Sequence, residues 1–369
     1  MASVSFFPHL IAGPIVRYRD LLPQFSKWSD HKAYDFTDLA VGLTIFFIGL
    51  FKKVILADSI AVSTNMAFSA AAAGQPLTLL EGWGATVTFN FQVYFDFSGY
   101  SDMAIGLGRI FGIRLPINFN SPYKSANFIE FWRRWHITLT GFIRDYVYFP
   151  LGGSRKSLAQ QCLNIMIIMF IIGLWHGAGW TYIIWGGIHG LYLVINLLWR
   201  RLQRFVGYEL DHPTWYGLAL AKLITFVGLL ISVAVFRADS LWSSWAIIKG
   251  MVGLNGILLP EYHLNLYGLG FLVPNLLNWH IQVGNITLLA PYVMEWIILC
   301  GFVVWFMPNT QEIMSRVEPA LGYYLKDTEG TWAWLRWRPT PIWAMVCGVM
   351  AVASLIMIAK PNAFLYFQF

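Results

Sequence analysis

Charge is scarce in this chain. Asp, Glu, Lys and Arg make up 12% of its 369 residues and hydrophobic residues 57%, whereas a soluble domain carries roughly 25% charged residues. That excludes an ordinary soluble protein and points to an integral membrane protein, built as one large bundle over residues 1–369. Cysteine is scarce too: Cys162, Cys300 and Cys347 all stand in apolar stretches. They offer neither a disulfide framework nor metal-ligand spacing and read as small buried hydrophobes. HExxH, Walker and GxSxG motifs are missing. Gly106 and Gly108 in AIGLGRIFG lack the strand-turn-helix context of a dinucleotide fingerprint. The net charge of +6 rests on so few charged residues that it reads as juxtamembrane Lys and Arg facing anionic lipid heads, not as a nucleic-acid surface. The opening MASVSFFPHLIAGPIVRYRD lacks the basic n-region and small-residue cleavage pattern of a secretory signal.

Residues 1–38 are short apolar pieces broken by Pro8, Pro14 and Pro23 and read as an interfacial or re-entrant entrance. LAVGLTIFFIGLFKKVILA at 39–57 is the first strong span, with Lys52 and Lys53 near its end placed either to snorkel to a head-group layer or at a break in the helix. Residues 82–113, glycine-rich and aromatic, suggest two helices bent or joined near Gly99. Asp96 and Asp102 inside them need partners, expected from the basic segment that follows. That segment, 124–156, holds +4 of the net charge. In helical geometry Glu130 reaches Arg133 and Arg134, and Trp132 shares a face with His136.

From Ser157 to Trp199 there is no Asp, Glu, Lys or Arg. At about 20 residues per crossing the stretch is enough for two spans, with the break at the GAG of 177–179. Arg155 and Lys156 precede the pair and Arg200, Arg201 and Arg204 follow it, so both ends belong in the cytoplasm and His176 far from it. Residues 215–236, 286–306 and 341–359 read as further spans, 241–283 as one tilted or broken span, and 308–338 as an interface-lying loop. The fold class is therefore all-α, a polytopic membrane bundle of about seven to nine spans with re-entrant and interfacial helices.

Histidine is the natural general base near neutral pH. His176 follows a wholly apolar helix, beside Trp175 and before three small residues that leave room for a substrate. His136, 40 residues earlier, can share a cavity with it, and His189 reads as a structural hydrogen-bonding residue. A transporter or channel with a buried His/Asp relay is the rival reading.

FFPHLIAGPIVRYRDLLPQF, QVYFDFSGYSDMAIGLGRIFGI, NFNSPYKSANFIEFWRRWHITLTGFIRDYVYFPLGG and GLWHGAGWTYIIWGGIHG occur in this order, followed by VAVFRA, MPNT and a closing FLYFQF. Together they resemble the membrane-bound O-acyltransferase family, and within it the bacterial alginate O-acetyltransferase membrane subunits. The resemblance implies an O-acyltransferase of the bacterial inner membrane with its catalytic core at 82–200. It would move acetyl from a cytoplasmic thioester, acetyl-coenzyme A, towards an exopolysaccharide hydroxyl, alginate first, through a periplasmic acetyltransferase or acyl-carrying partner. It implies no tightly bound cofactor or metal. His176 of LWHG would be the principal catalytic residue and His136 of FWRRWH its assistant. Arg133, Arg134 and Arg144 would guide the donor phosphates, and Tyr94, Asp96, Tyr146 and Trp175 would line the substrate site, with Tyr100 and Tyr148 as further cavity candidates. Family members of this kind carry spanning helices ahead of FFPHLIAGPI that this chain is expected to lack, so an inactive scaffold is a second rival.

Overall fold

The structure, a computed structural model, describes residues 6–10, 12–28, 35–207, 214–279, 281–322 and 332–358. Asp30, the FLYFQF end and the middle of the 308–338 loop lie outside them. In chain order the helices are α1 (Tyr18–Trp28), α2 (Phe36–Phe51), α3 (Asp58–Ala72), α4 (Leu79–Ile110), α5 (Phe128–Arg134), α6 (Ile137–Ile143), α7 (Leu158–His176) and α8 (Trp180–Phe205). They continue with α9 (Trp215–Arg237), α10 (Leu241–Met251), α11 (Glu261–Leu266), α12 (Val273–Asn278), α13 (Val293–Phe306), α14 (Thr310–Ile313) and α15 (Pro341–Met357). The strands among the described residues are one short parallel pair, β1 (Leu258–Pro260) beside β2 (Gln282–Gly284). Among the described residues, four continuous helical stretches are long and apolar enough to cross a bilayer: Phe36–Ala72, Leu158–His176, Trp180–Phe205 and Trp215–Arg237.

The bundle is built around α4. Thr78 and Glu81 form a capping box at its start, which satisfies donors that the first turn leaves open. The helix then runs 32 residues without the bend expected at Gly99, roughly 48 Å at 1.5 Å per residue. Its glycines serve packing instead: a Cβ on Gly106 would stand 2.6 Å from the Gly42 carbonyl oxygen of α2, and one on Gly42 would stand 2.7 Å from that of Gly106. Small residues at such crossings let two backbones approach closely. α3, α9, α10 and α13 pack on the remaining sides of α4, and Phe89, Phe91 and Phe95 are fully buried among them.

Lys52 and Lys53 do not snorkel. They open a π-helical turn, Lys52–Ala57, that carries α2 into α3 without interruption. Lys52 Nζ lies 2.6 Å from Asp102 Oδ2, and Lys53 Nζ lies 2.8 Å from Asp96 and 2.6 Å from Asp58. The buried aspartates of α4 thus find their cations upstream, not in the basic segment downstream. Widening the turn to i→i+5 bonding brings Lys53 and Asp58, five residues apart, onto one side. Asp102 also accepts hydrogen bonds from Thr310 Oγ1 and Gln311 Nε2, tying the residues after α13 to the centre.

α7 and α8 form the expected antiparallel hairpin, with α7 ending at His176 and α8 starting at Trp180. Arg201 donates to Gln161 Oε1 at 3.2 Å, so the basic residues flanking the hairpin lie at one end of it. The positive-inside rule assigns that end to the cytoplasm and the α4 start, the α3 end and α10 to the opposite face. Two expected spans are corrected. Residues 241–283 fold as α10, the strand pair and short helices rather than as a crossing. α13 begins only at Val293, because Pro291 and the left-handed Tyr292 (φ 63°) stop a helix from starting at residue 286.

Candidate active site

α5 ends at Arg134, and His136 follows with φ 43° and ψ 52° as the residue before α6. The expected single helix through FWRRWH is therefore broken, since a left-handed residue ends an α-helix, and such backbone costs of order 1–3 kcal/mol unless neighbours hold it. The neighbours are residues 118–120. Ile137 N–H donates to the Asn118 carbonyl and Asn120 N–H to that of Arg134, each at 2.9 Å.

The side chain of Asn118, 1% exposed, organises the site. Its Oδ1 accepts from Thr138 N–H at 3.3 Å and Thr138 Oγ1 at 2.8 Å, and its Nδ2 donates to Ser101 Oγ at 3.2 Å. A backbone N–H can only donate, so the amide orientation is set. His136 Nδ1 lies 3.1 Å from that same Oδ1 and must therefore carry a proton. In the neutral ring the lone pair is then on Nε2, which is buried without a hydrogen-bond partner.

His136 and His176 line one cavity of about 70 Å³ among α4, α5, α8 and α9. That is room for a few waters or a slim chain. His176 closes α7 in an aromatic cage, with ring centroids 4.9 Å from Trp175, 5.2 Å from Trp185 and 5.1 Å from Phe236. His189 reaches the same cavity, but both its nitrogens are engaged. Trp132 Nε1 donates to Nδ1 at 3.3 Å, and Nε2 lies 3.0 Å from Ser232 Oγ, whose own proton goes to the Leu229 carbonyl.

A second cavity, about 280 Å³, shares Phe97 and His136 with the first and opens towards His9, Gly13 and Trp175. His9 was not singled out from the sequence. Its Nδ1 is buried without a partner, and burial lowers its pKa below the usual histidine value, partly offset by the Phe6 carbonyl.

The other anticipated site residues divide. Trp175 lines the second cavity, its ring centroid 6.1 Å from that of His136. Asp96 lines the first cavity while paired with Lys53. Tyr94 is packed among Phe119, Tyr123 and Trp135, and Tyr146 is exposed against Phe142. Neither is on a wall of these two cavities. Arg134 is held by Glu130 at 2.9 Å and donates to the Asn120 carbonyl. Arg144 bonds Asp145, whose carboxyl it holds, together with Arg17, below the usual carboxylate range. Arg133 is exposed. Sequence reasoning missed Asn118, Phe97 and Phe236, although each lies inside a quoted motif, NFNSPYK, QVYFDFSGY and VAVFRA respectively.

Comparison with known proteins shows the family. Residues 2–236 match the model of MBOAT, the membrane-bound O-acyltransferase family. The chain is 46% identical over 256 residues to a peptidoglycan O-acetyltransferase of Helicobacter pylori, covering 69% of this chain and 47% of that one. It is 42% identical over 269 residues to the probable alginate O-acetylase AlgI of Pseudomonas aeruginosa, covering 73% and 48%. With the teichoic acid D-alanyltransferase of Bacillus subtilis it shares 33% over 232 residues, 60% and 57% of the two chains. The chain spans about half the length of these relatives. With its long apolar helices and this match, the chain is a multi-pass inner-membrane protein and belongs to the membrane-bound O-acyltransferase family.

Proposed function

We propose that the chain transfers acetyl from acetyl-coenzyme A to a hydroxyl of an extracytoplasmic polysaccharide, either directly or through a periplasmic acyl-carrying partner. The observation that carries this reading is the meeting of two histidines from separate elements on one narrow cavity, one of them with its tautomer set by Asn118. The hydroxyl oxygen attacks the thioester carbonyl carbon while a histidine Nε2 takes its proton. The tetrahedral intermediate then collapses, the C–S bond breaks, and the thiolate leaves with that proton.

From the motifs, His176 is the base and His136 its assistant. The Asn118 bond favours the opposite division of labour. Neutral His136 has its proton committed at Nδ1 and offers only a lone pair at Nε2, the arrangement of a base oriented by a neighbour. His176, caged by the rings of Trp175, Trp185 and Phe236, can present an N–H to the developing oxyanion. Of the three arginines proposed for the donor phosphates, Arg133 is the exposed one without a carboxylate partner among the described residues.

Alginate is the acceptor that the motifs put first, and the relatives named for peptidoglycan and alginate make both worth offering. A relay transporter would leave Asp96 and Asp102 available to carry protons, and both are paired with lysines. Beyond the four long apolar stretches, we also place α4, α13 and α15 in the membrane, which gives a count of about seven at the lower edge of the expected range. The test is transfer of radiolabelled acetyl from acetyl-coenzyme A to alginate or peptidoglycan in membranes carrying the chain and its secretion partners, against H176A and H136A. Undiminished transfer in both variants would sink the proposal.

A further inference from the structure

A third cavity, about 500 Å³, lies at the other end of the molecule's polarity, beside the start of α4. Trp83 and Val87 of α4, Leu289, and Ile297 of α13 form an apolar wall, and Tyr262, His263 and Tyr292 supply the polar groups. His263 Nε2 lies 3.4 Å from Glu295 Oε2. With Glu295 ionised, that nitrogen carries the proton and the neutral ring keeps its lone pair on Nδ1. His263 Nδ1 and Glu295 Oε1 are then two buried acceptors without a donor. A buried polar atom left unpaired costs free energy.

Depth and surroundings narrow the ligand. α13 has 14 residues, roughly 21 Å against a hydrocarbon core of roughly 30 Å. The segment just before it packs against Gly84, about five residues inside the α4 start, because a Cβ on Gly84 would stand 2.5 Å from Leu289. The cavity is therefore at the level where acyl chains meet head groups on the face opposite the basic end. The segment covering it exposes Tyr262, Phe271 and Trp279, the aromatic composition of a membrane interface.

We propose that this cavity binds an outer-leaflet lipid, with its acyl chain against Val87 and Ile297 and a head group that donates a hydrogen bond to His263, which stands on the cavity wall with Glu295 behind it, and that bears no net negative charge. Both an ethanolamine ammonium and a glycerol hydroxyl meet that description, whereas an anionic head would come to rest near the Glu295 carboxylate behind His263. The site stands apart from the two histidine-lined cavities, and its test does not depend on acetyl transfer.

The purified full chain in detergent is irradiated with diazirine-bearing phosphatidylethanolamine, diacylglycerol or phosphatidylglycerol, and labelled peptides are mapped by mass spectrometry. Label from phosphatidylethanolamine or diacylglycerol, or both, on the peptides containing Val87 and Ile297 is expected to exceed that from phosphatidylglycerol, and the stronger of the two identifies the head. Ile297→Trp fills the cavity and removes the label, with Val87→Trp as the second variant should the first unfold on heating in detergent below the parent. Glu295→Gln raises phosphatidylglycerol labelling towards that of phosphatidylethanolamine. Equal labelling by the anionic lipid in the parent, full labelling after the cavity is filled, or displacement of the label by a soluble oligosaccharide overturns the proposal.

Discussion

Gly99 of α4 and Gly49 of α2 face each other so closely that a Cβ on Gly99 would stand 2.6 Å from the Gly49 carbonyl oxygen, and one on Gly49 would stand 2.5 Å from that of Gly99. The obstructing atoms are backbone, so neither helix can yield by turning a side chain. Gly99→Ala is expected to cost about 1–3 kcal/mol, the usual range for overpacking, and Gly99→Val more. Thermal unfolding in detergent checks this: an unchanged midpoint for both would show that the helices separate without penalty.

Lys52→Met leaves Asp102 buried with Thr310 and Gln311 as donors but no cation. Removing one partner of such a pair typically costs about 3–5 kcal/mol. The Lys52→Met/Asp102→Asn double variant removes both charges and is expected to recover part of the loss. If the double variant is as unstable as the sum of the two single ones, the pair is not coupled.

Asn118→Ala frees the His136 ring to change tautomer and orientation. A drop of about 10²-fold in acetyl transfer is expected, within the range that positioned proton transfer contributes, with the unfolding midpoint reduced far less than the rate. Asn118→Asp keeps an acceptor for Nδ1–H and should retain more activity than the alanine variant. The reverse ranking would remove Asn118 from the orientation of the base.

The two divisions of labour between the histidines are separable. If His136 is the base, His136→Gln abolishes transfer, while His176→Asn, which keeps a donor, retains a measurable fraction. If His176 is the base, the opposite pattern appears. Rates for the two variants in the same membranes decide between them.

Arg17 and Asp145 are 2.6 Å apart and join the amino-terminal segment to the turn after α6. The bond from Arg144, with Arg17 adding to it, depresses the Asp145 pKa, so the stabilisation is complete above the unfolded carboxyl value, about 3.9, and disappears as pH falls through the lower folded value. Asp145→Asn is therefore expected to speed amide hydrogen exchange in residues 12–28 at neutral pH. No change in exchange would mean that the pair is incidental.

How much of this could be read from the sequence depends on what kind of signal each feature leaves. The uncharged stretch from Ser157 to Trp199 foretold α7, α8 and the break between them, because the cost of charge in hydrocarbon acts locally along the chain. The meeting of His136 with His176 was anticipated from residue type and motif. The hold of Asn118 on His136 was not, since it depends on two segments 18 residues apart running side by side. Gly99 misled because a glycine that permits a bend and a glycine that admits a neighbour look alike in sequence. Lys52 and Lys53 misled for a similar reason: at a helix end they would reach water, and only the continuation into α3 places them inside. Tyr94 illustrates the opposite limit, where an aromatic beside a functional stretch turned out to pack the core.

The π-helical turn at Lys52–Ala57 also sets a phase. An α-helix advances about 100° per residue and the wider π turn less, so the six π residues turn the chain about as far as five α-helical residues would, and the extra residue is absorbed without rotating Asp58–Ala72 relative to α2. Ile60, Thr64, Ala67 and Ala71, buried at 0–1% exposure, would therefore keep facing α4 if one residue between Lys53 and Asp58 were removed and the turn reverted to α-helical pitch. This short segment should thus tolerate a single-residue deletion far better than the α-helical turns on either side of it, where the same deletion would rotate the helix by about 100°.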